Sequence, residues 1–417
     1  MPFERVGIRP ARILLPAPSV PRETWACVAC DQYTSEPEYW KKAYDTVGSN
    51  PSALRMILPE AFLDSAAGRI PQIHAAMADA LRQGLLRPAV DPGFILCERT
   101  VPSGTRLGLV CAVDLEQYSF EKGSLPLVRP TEQTIASRLP PRLEIRRGAP
   151  LELTHIMILI DDPRRTVLEP LQAKKETLRS VYDFDLMLGG GHLKGWAVDS
   201  GEDLAHVDAA LGALLEGLGE NPLLLAVGDG NHSLATAKAY WNEVREGLSE
   251  AERENHPARF ALCEIVNIHD EALLFEPIHR LVTGAEPAEL LADWEAYAAG
   301  RGMALDAREG HRFTVVSKNG DRTVTVGSPE GAIPCETIQK FLDDFLARHP
   351  EAAIDYIHGE KSLRTLASAE KATGFLLPEI DKHSFFADVK KLGVLPRKTF
   401  SMGEADEKRF YMEAKEI

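Results

Sequence analysis

The sequence has no long hydrophobic run. Its longest apolar stretches, "LLLAV" and "IMILI", fall far short of the ~20 residues that cross a bilayer, which excludes a helical membrane span and with it a membrane partner. Positive charge is in deficit: 47 Lys and Arg against 62 Asp and Glu leave a net charge of −15, and non-specific nucleic-acid binding needs a basic surface. Cysteine is sparse, six in 417 residues, and no second C-x-x-C accompanies Cys27 and Cys30 to complete a zinc ribbon. Because "WACVACDQY" is apolar around that pair, both are expected to be buried thiols without disulfide or zinc. The start, "MPFERVGIRPARILLPAPSVP", has only a short apolar stretch broken by prolines, unlike a signal peptide, and the chain reads as cytoplasmic. Low-complexity tracts and repeats are missing. So are G-x-S-x-G and H-E-x-x-H, which leaves a nucleophile elbow and a zincin helix without support. The triple glycine of "GGGHLKGW" lacks the Gly-Lys-Ser/Thr ending of a phosphate-binding loop and reads as a turn.

What is present suits a folded chain. Hydrophobic residues make up 44% and charged ones 26%, enough for a sizeable core and more than one domain. Residues 36–84 carry helical spacing, and "PGFILCERTVPSGTRLGLVCAVDL" predicts a hairpin about Pro-Ser-Gly. A basic, proline-rich stretch then precedes the buried strand "HIMILIDDP". Leu204, Val207, Leu211, Leu214 and Leu218 recur every three or four residues, as in an amphipathic helix. Strands are predicted at "FALCEIVNI", "FTVVSK", "RTVTVG", "AIDYIHG" and "TGFLLPEI", and helices at "PAELLADWEAYAAG" and "ETIQKFLDDFLARH". The fold class is α/β (or α+β), with a mixed sheet. A division near residue 219 is expected, giving an α/β lobe over 1–218 and a second lobe over 219–417.

The densest polar chemistry lies in "VGDGNHSLATAKAYW", residues 227–241. The apolar "PLLLA" precedes it, and Leu234, Ala237, Trp241 and Val244 form a helical stripe within and after it. A strand that ends in a glycine-rich turn and feeds a helix aims backbone N–H groups at one spot, where the helix dipole favours an anion. Gly228 and Gly230 would let a ligand approach the backbone closely. Asn231 or Ser233 can cap the helix. Asp229 and His232 exceed what a cap needs. A carboxylate repels phosphate unless it holds a metal ion or takes a proton, and His232 can donate to a phosphate oxygen or carry a proton near neutral pH. The competing explanation is a polar N-cap with a hydrogen-bonded histidine.

Four other segments set polar residues beside apolar structure. "CDQYTSEPEYW" holds Asp31, Gln32 and Glu36; "VRPTEQT" holds Arg129, Glu132 and Thr134; "FEPIHRLV" holds His279 and Arg280; "LPRKTFSMGE" holds Arg397, Lys398, Thr399 and Ser401. Singly, each reads as a solvated patch or a structural salt bridge. Gathered by the fold, they would offer cations for phosphate and carboxylates for a base or Mg²⁺.

In content and order these segments, with "GDGNHSLATAK" and "HDEALLFEPIHRLV", resemble the bacterial and archaeal family catalogued as domain of unknown function 1015, over nearly the whole chain. The central motif of much of that family reads Asp-Gly-His-His-Arg. It is similar to a signature of ParB-like nucleotide-binding proteins and ParB-related free-serine kinases, where the loop starts a helix and handles nucleotide phosphates. Asp229, Gly230 and His232 match that motif, while Asn231 replaces its first histidine and Ser233 its arginine. Losing the arginine removes a bidentate phosphate donor, so the resemblance requires another cation, Arg280 or Arg397, to substitute.

Residues and resemblance together imply a nucleotide-dependent phosphotransferase, using Mg²⁺ with ATP or another nucleotide and acting on a small hydroxyl metabolite such as a serine-like amino acid. In that reading Gly228, Gly230, Asn231 and Ser233 cradle phosphate. Asp229 binds Mg²⁺ or acts as base, His232 assists, and Asp31 and Glu132 are further catalytic carboxylates. Arg129, His279, Arg280, Arg397 and Lys398 supply donors and positive charge. Asp31, Glu132, Asp229, His232, His279 and Arg397 are expected to line one cleft. Two rivals use the same loop: a non-catalytic nucleotide- or metabolite-binding regulator, and a metal-dependent hydrolase that needs no acceptor.

Overall fold

The computed structural model describes residues 3–135, 139–396 and 398–417. The chain forms two units, Met1–Leu274 with Gly403–Ile417, and Phe275–Met402. Residue 219 lies inside the first, where the strand Leu225–Asp229 pairs with two strands from earlier in the chain, Val128–Pro130 and Met157–Ile160.

The first unit is built on a twelve-stranded mixed sheet, the α/β arrangement that the alternating pattern predicts. Its main path runs Val128–Pro130, Leu225–Asp229, Met157–Ile160, Phe260–Asn267, Gly104–Asp114, Leu86–Val101, Ala11–Pro16, Ala414–Glu416 and Leu151–Leu153. Leu225–Asp229 runs parallel to Val128–Pro130, and Phe260–Asn267 parallel to Met157–Ile160; the hairpin Leu86–Val101 with Gly104–Asp114 is antiparallel.

The central strands show why the sheet is buried on both sides. Successive side chains alternate between faces. Phe94, Leu96, Leu109, Cys111, Cys263 and Ile265 enter one core, while Ile95, Cys97, Val110, Ala112 and Leu262 enter the other. Helices cover each face: Pro37–Val47 and Ala66–Arg82 on one, Gly201–Gly217 and Asn231–Glu246 on the other. Strands covered on both faces read as continuous apolar runs, which "FALCEIVNI" does. In Gly201–Gly217 the Ser200 hydroxyl caps the helix by accepting the Asp203 N–H, and Val207 and Leu211 are buried. In Asn231–Glu246, Leu234, Ala237 and Trp241 are buried, and Trp241 Nε1 donates to Glu116 (2.6 Å). Truncating that tryptophan to alanine would cost about 3–5 kcal/mol and release the helix that carries the motif.

The second unit holds a six-stranded antiparallel sheet, Gly320–Val326, His311–Ser317, Ala372–Leu376, Phe275–Thr283 and Ala353–His358, with Phe400–Met402 paired to the start of Phe275–Thr283. Helices Pro287–Gly300 and Pro334–Arg348 pack on it through Trp294, Phe341 and Phe345.

The cysteines are free thiols; Cys27 is buried, whereas Cys30 is only partly so by exposure. Burial, reinforced by Asp31, pushes the Cys30 thiol up to about 12, so it stays protonated near neutral pH. Among the described residues no helix is long and apolar enough to cross a membrane.

Candidate functional site

The turn after Leu225–Asp229 is shaped by its glycines. Gly228 sits where the register with Met157–Ile160 shifts, a bulge position. Gly230 has φ +79° and ψ 28°, a left-handed conformation that glycine adopts without steric cost. The close approach it permits is to the protein itself: a Cβ there would lie 3.1 Å from both Cα and Cγ1 of Ile156.

Helix Asn231–Glu246 then begins with Gly230 as its N-cap and no side-chain cap. This corrects the expectation that Asn231 or Ser233 caps it. Asn231 is already helical, and its side chain reaches sideways: Oδ1 accepts the Thr131 N–H (3.1 Å) and Nδ2 donates to Thr131 Oγ1 (3.4 Å). Thr131 Oγ1 in turn donates to the Val227 carbonyl (2.6 Å). The amides of the first turn have no intrahelical acceptor, and the N-cap glycine has no side chain to offer them.

Ser233 Oγ lies 3.1 Å from His155 Nε2, and His155 Nδ1 lies 2.8 Å from the Tyr411 hydroxyl. Burial pushes the Tyr411 phenol far up, so it is neutral. Its oxygen accepts the Cys30 N–H (3.3 Å), which leaves its hydrogen to be donated to Nδ1. His155 then carries its own hydrogen on Nε2, between Ser233 and Asp31, whose Oδ2 is 3.9 Å away.

Asp229 Oδ2 pairs with Lys408 Nζ at 3.2 Å, and Oδ1 accepts the Gly230 N–H (2.9 Å). Burial pushes this carboxyl up, but the ion pair with Lys408 and the hydrogen bond from the Gly230 amide pull the other way, and the group lies below the usual carboxylate range. The main chain around Lys408 is held from the central hairpin. Arg99 donates to the carbonyls of Asp406 (2.9 Å) and Lys408 (3.4 Å), and Arg106 to that of Glu407 (3.5 Å). Next to Lys408, Arg409 pairs with Glu264 (3.0 Å) and Glu413 (2.5 Å) inside the core.

Three of the segments singled out in the sequence therefore meet in the first unit. "RPTEQT" runs beside the motif, with Thr131 bonded to it and Glu132 following; His232 Nε2 accepts the N–H of Ile135 (3.3 Å), the residue just after that segment. Asp31 reaches Ser233 through His155. Arg129 is buried and donates to the carbonyls of Pro126 (2.9 Å), Asn221 (3.1 Å) and Pro222 (3.1 Å), so it clamps the turn before the motif strand.

The remaining candidates belong to the second unit. Arg280 is fully buried and donates to Gln339 (3.1 Å), the Lys398 carbonyl (2.7 Å) and Cys335 Sγ (3.0 Å), all within that unit. Lys398 is exposed, and Arg397 lies outside the described residues. His279 is buried and accepts the Leu377 N–H at Nδ1 (3.2 Å). Burial pushes its imidazole down to about 4, with Arg280 and His358 adding to the effect and Glu360 opposing it. A folded value below the unfolded one means that, as pH falls from about 6.5 towards 4, the unfolded chain takes a proton the native one refuses. Stability should fall over that window by up to about 3 kcal/mol. Urea unfolding of wild type and His279→Gln at about pH 7 and 4.5 checks this; equal losses in both proteins would refute it.

His155, Tyr411 and Lys408 were not among the residues the sequence singled out. His155 introduces a strand that reads as pure core, and Lys408 and Tyr411 lie in "EKRFYME", beyond the last of the segments singled out. Among the described residues no group of three or more His, Cys, Asp or Glu is arranged to hold a metal ion.

The family described as "Protein of unknown function (DUF1015)" matches residues 8–345. No curated protein matches the chain. Among solved structures, free serine kinase in complex with AMP is similar at a TM-score of 0.40 and 12% identity, over 74% of this chain and 91% of that one. A conserved hypothetical protein from Pyrococcus furiosus is similar at 0.37 and 11%, over 74% and 94%. SbnI with a C-terminal truncation, from Staphylococcus aureus, is similar at 0.38 and 8%, over 72% and 85%.

Proposed function

The chain belongs to the DUF1015 family, and from the geometry around Asp229 we propose that it transfers a phosphoryl group from a nucleotide to a small hydroxyl-bearing metabolite. One observation carries the reading: an ionised carboxylate and a lysine face each other at the start of a sixteen-residue helix whose N-cap is a glycine. Phosphoryl transfer needs this kind of equipment, namely donors for phosphate oxygens, a cation and a base.

In this reading the amides of Asn231, His232 and Ser233 take phosphate oxygens, and Lys408 supplies the charge that the missing motif arginine would have given. Asp229, held ionised, suits Mg²⁺ that arrives on a nucleotide, for which one or two protein carboxylates suffice. When bound, that ion would neutralise phosphate charge. Asp31 stands outside the Asp229–Lys408 pair and beside the Nε2–H of His155, and in this reading it serves as the base for the acceptor hydroxyl. Glu132 is the second candidate for that role.

The test incubates the purified protein with ATP and Mg²⁺ and a panel of hydroxyl metabolites, L-serine included, and follows ADP. ADP that appears only with an acceptor supports the proposal. Nucleotide that binds but is not consumed with any acceptor makes the protein a regulator, and ADP formed with water alone makes it a hydrolase.

A further inference from the structure

A cavity of about 150 Å³ opens in the first unit beside Ser233 and Thr236, on the first turns of the motif helix. Ser233, His155 and Tyr411, linked in a row at 3.1 and 2.8 Å, contribute hydrogen-bonding groups to its wall. Much of the remaining wall is aliphatic, with Met56, Leu58, Met77 and Leu262 drawn from separate parts of the chain. The charges that reach it come as opposite pairs, Arg142 with Glu60 and Arg146 with Glu152 (2.5 Å). The wall is thus mostly apolar, its charges are paired (Lys415 also reaches Glu152, at 3.3 Å), and Thr154 and Thr236 add hydroxyls to the polar row beside the proposed chemistry.

Size and lining narrow the occupant. A cavity of about 150 Å³ takes a body the size of benzene and is too small to take in a whole nucleotide. The charged groups of the wall are already taken up in ion pairs, so the ammonium and carboxylate of a free amino acid would have to break those pairs to replace their hydration, whereas an uncharged body leaves them intact. We infer that this cavity is the acceptor pocket, and that the acceptor is a small alcohol with an uncharged apolar body of about four to seven carbons. The body fills the aliphatic wall, and the hydroxyl lies at Ser233 and His155. What becomes of the hydroxyl rests on the phosphotransfer reading: its oxygen bonds to the γ-phosphorus of ATP, the bond from that phosphorus to the β–γ bridging oxygen breaks, ADP leaves with the electron pair, and the hydroxyl proton passes to Asp31.

Binding is tested on the whole protein without nucleotide, by ligand-observed NMR with n-alkanols from ethanol to octanol and with L-serine for comparison. Affinity should rise about fourfold per methylene and stop rising near pentanol to heptanol, where the cavity is full. Ala149→Leu enlarges a buried wall residue and should weaken pentanol binding at least tenfold; Met77→Phe serves if that variant does not fold. Unchanged pentanol affinity in a folded variant, no chain-length limit, or L-serine bound as tightly as pentanol would overturn the inference. With ATP and Mg²⁺ added, ADP formed from the bound alcohol supports pocket and chemistry together. An alcohol that binds with these features but yields no ADP refutes the phosphotransfer role while the binding site stands. ADP formed from L-serine and unaffected by Ala149→Leu refutes the pocket while phosphotransfer stands.

Discussion

Asp229→Asn will lower acceptor-dependent ADP formation by about 10²- to 10⁴-fold, while metal-free nucleotide still binds. The carboxylate is the negative partner of Lys408 and is held ionised by it, so the amide removes both a charge and the ability to hold Mg²⁺. Removing a negative group from a phosphate site also relieves repulsion, and for that reason affinity for ADP without metal should hold or tighten. A stability effect comes with it. The Lys408 side chain is only 9% exposed and would be left without its carboxylate, at a cost of about 1–3 kcal/mol. The double variant Asp229→Asn with Lys408→Met removes the orphaned charge and should recover part of that stability with no recovery of turnover. A purely structural ion pair predicts the reverse: stability is lost, yet activity per folded molecule is intact in both variants.

Local periodicity made most of the secondary structure legible in the sequence. "FALCEIVNI" is a fully buried strand, the Leu234–Trp241 stripe is the buried face of its helix, and the change from strand to helix falls at Gly230, just after the bulge at Gly228. What could not be read is chemistry made by contacts distant in sequence. Lys408 reaches Asp229, and Tyr411 reaches His155, from far along the chain, because it returns to the first unit at Gly403 after Phe275–Met402. No shift in composition marks that return; it is held by pairings such as Leu14 with Ala414 and Glu152 with Lys415. Cations show the same limit. Arg129 and Arg280 look like phosphate ligands as residue types, but many of their donors face carbonyls and side chains of their own units. The capping expectation failed for a related reason: Asn231 and Ser233 satisfy the usual composition of a cap but find partners in Thr131 and His155 instead.

Gly230→Val should give the largest combined loss, in stability and in nucleotide binding together. The position holds φ +79°, which a β-branched residue adopts only with strain of about 1–3 kcal/mol. The new Cβ would also meet Cα and Cγ1 of Ile156 at 3.1 Å, so the turn and the chain at residue 156 must separate. Together these should cost about 2–4 kcal/mol in urea unfolding. The displacement has a functional direction, because Ile156 follows His155, which holds Ser233, Tyr411 and Asp31 in register. Moving that histidine disturbs the carboxylate beside it as well as the start of the motif helix, so calorimetric titration with ADP should show binding lost in the fraction that remains folded. Gly230→Ala meets the same contact with less backbone strain and should fall between Val and wild type. Adding Ile156→Ala to it removes the Cγ1 contact but not the one to Cα, so recovery should be partial and should appear in ADP affinity as well as in stability. If Gly230→Ala loses stability while folded protein binds ADP as wild type does, the turn only supports the helix and the Asp229 site is not where nucleotide binds.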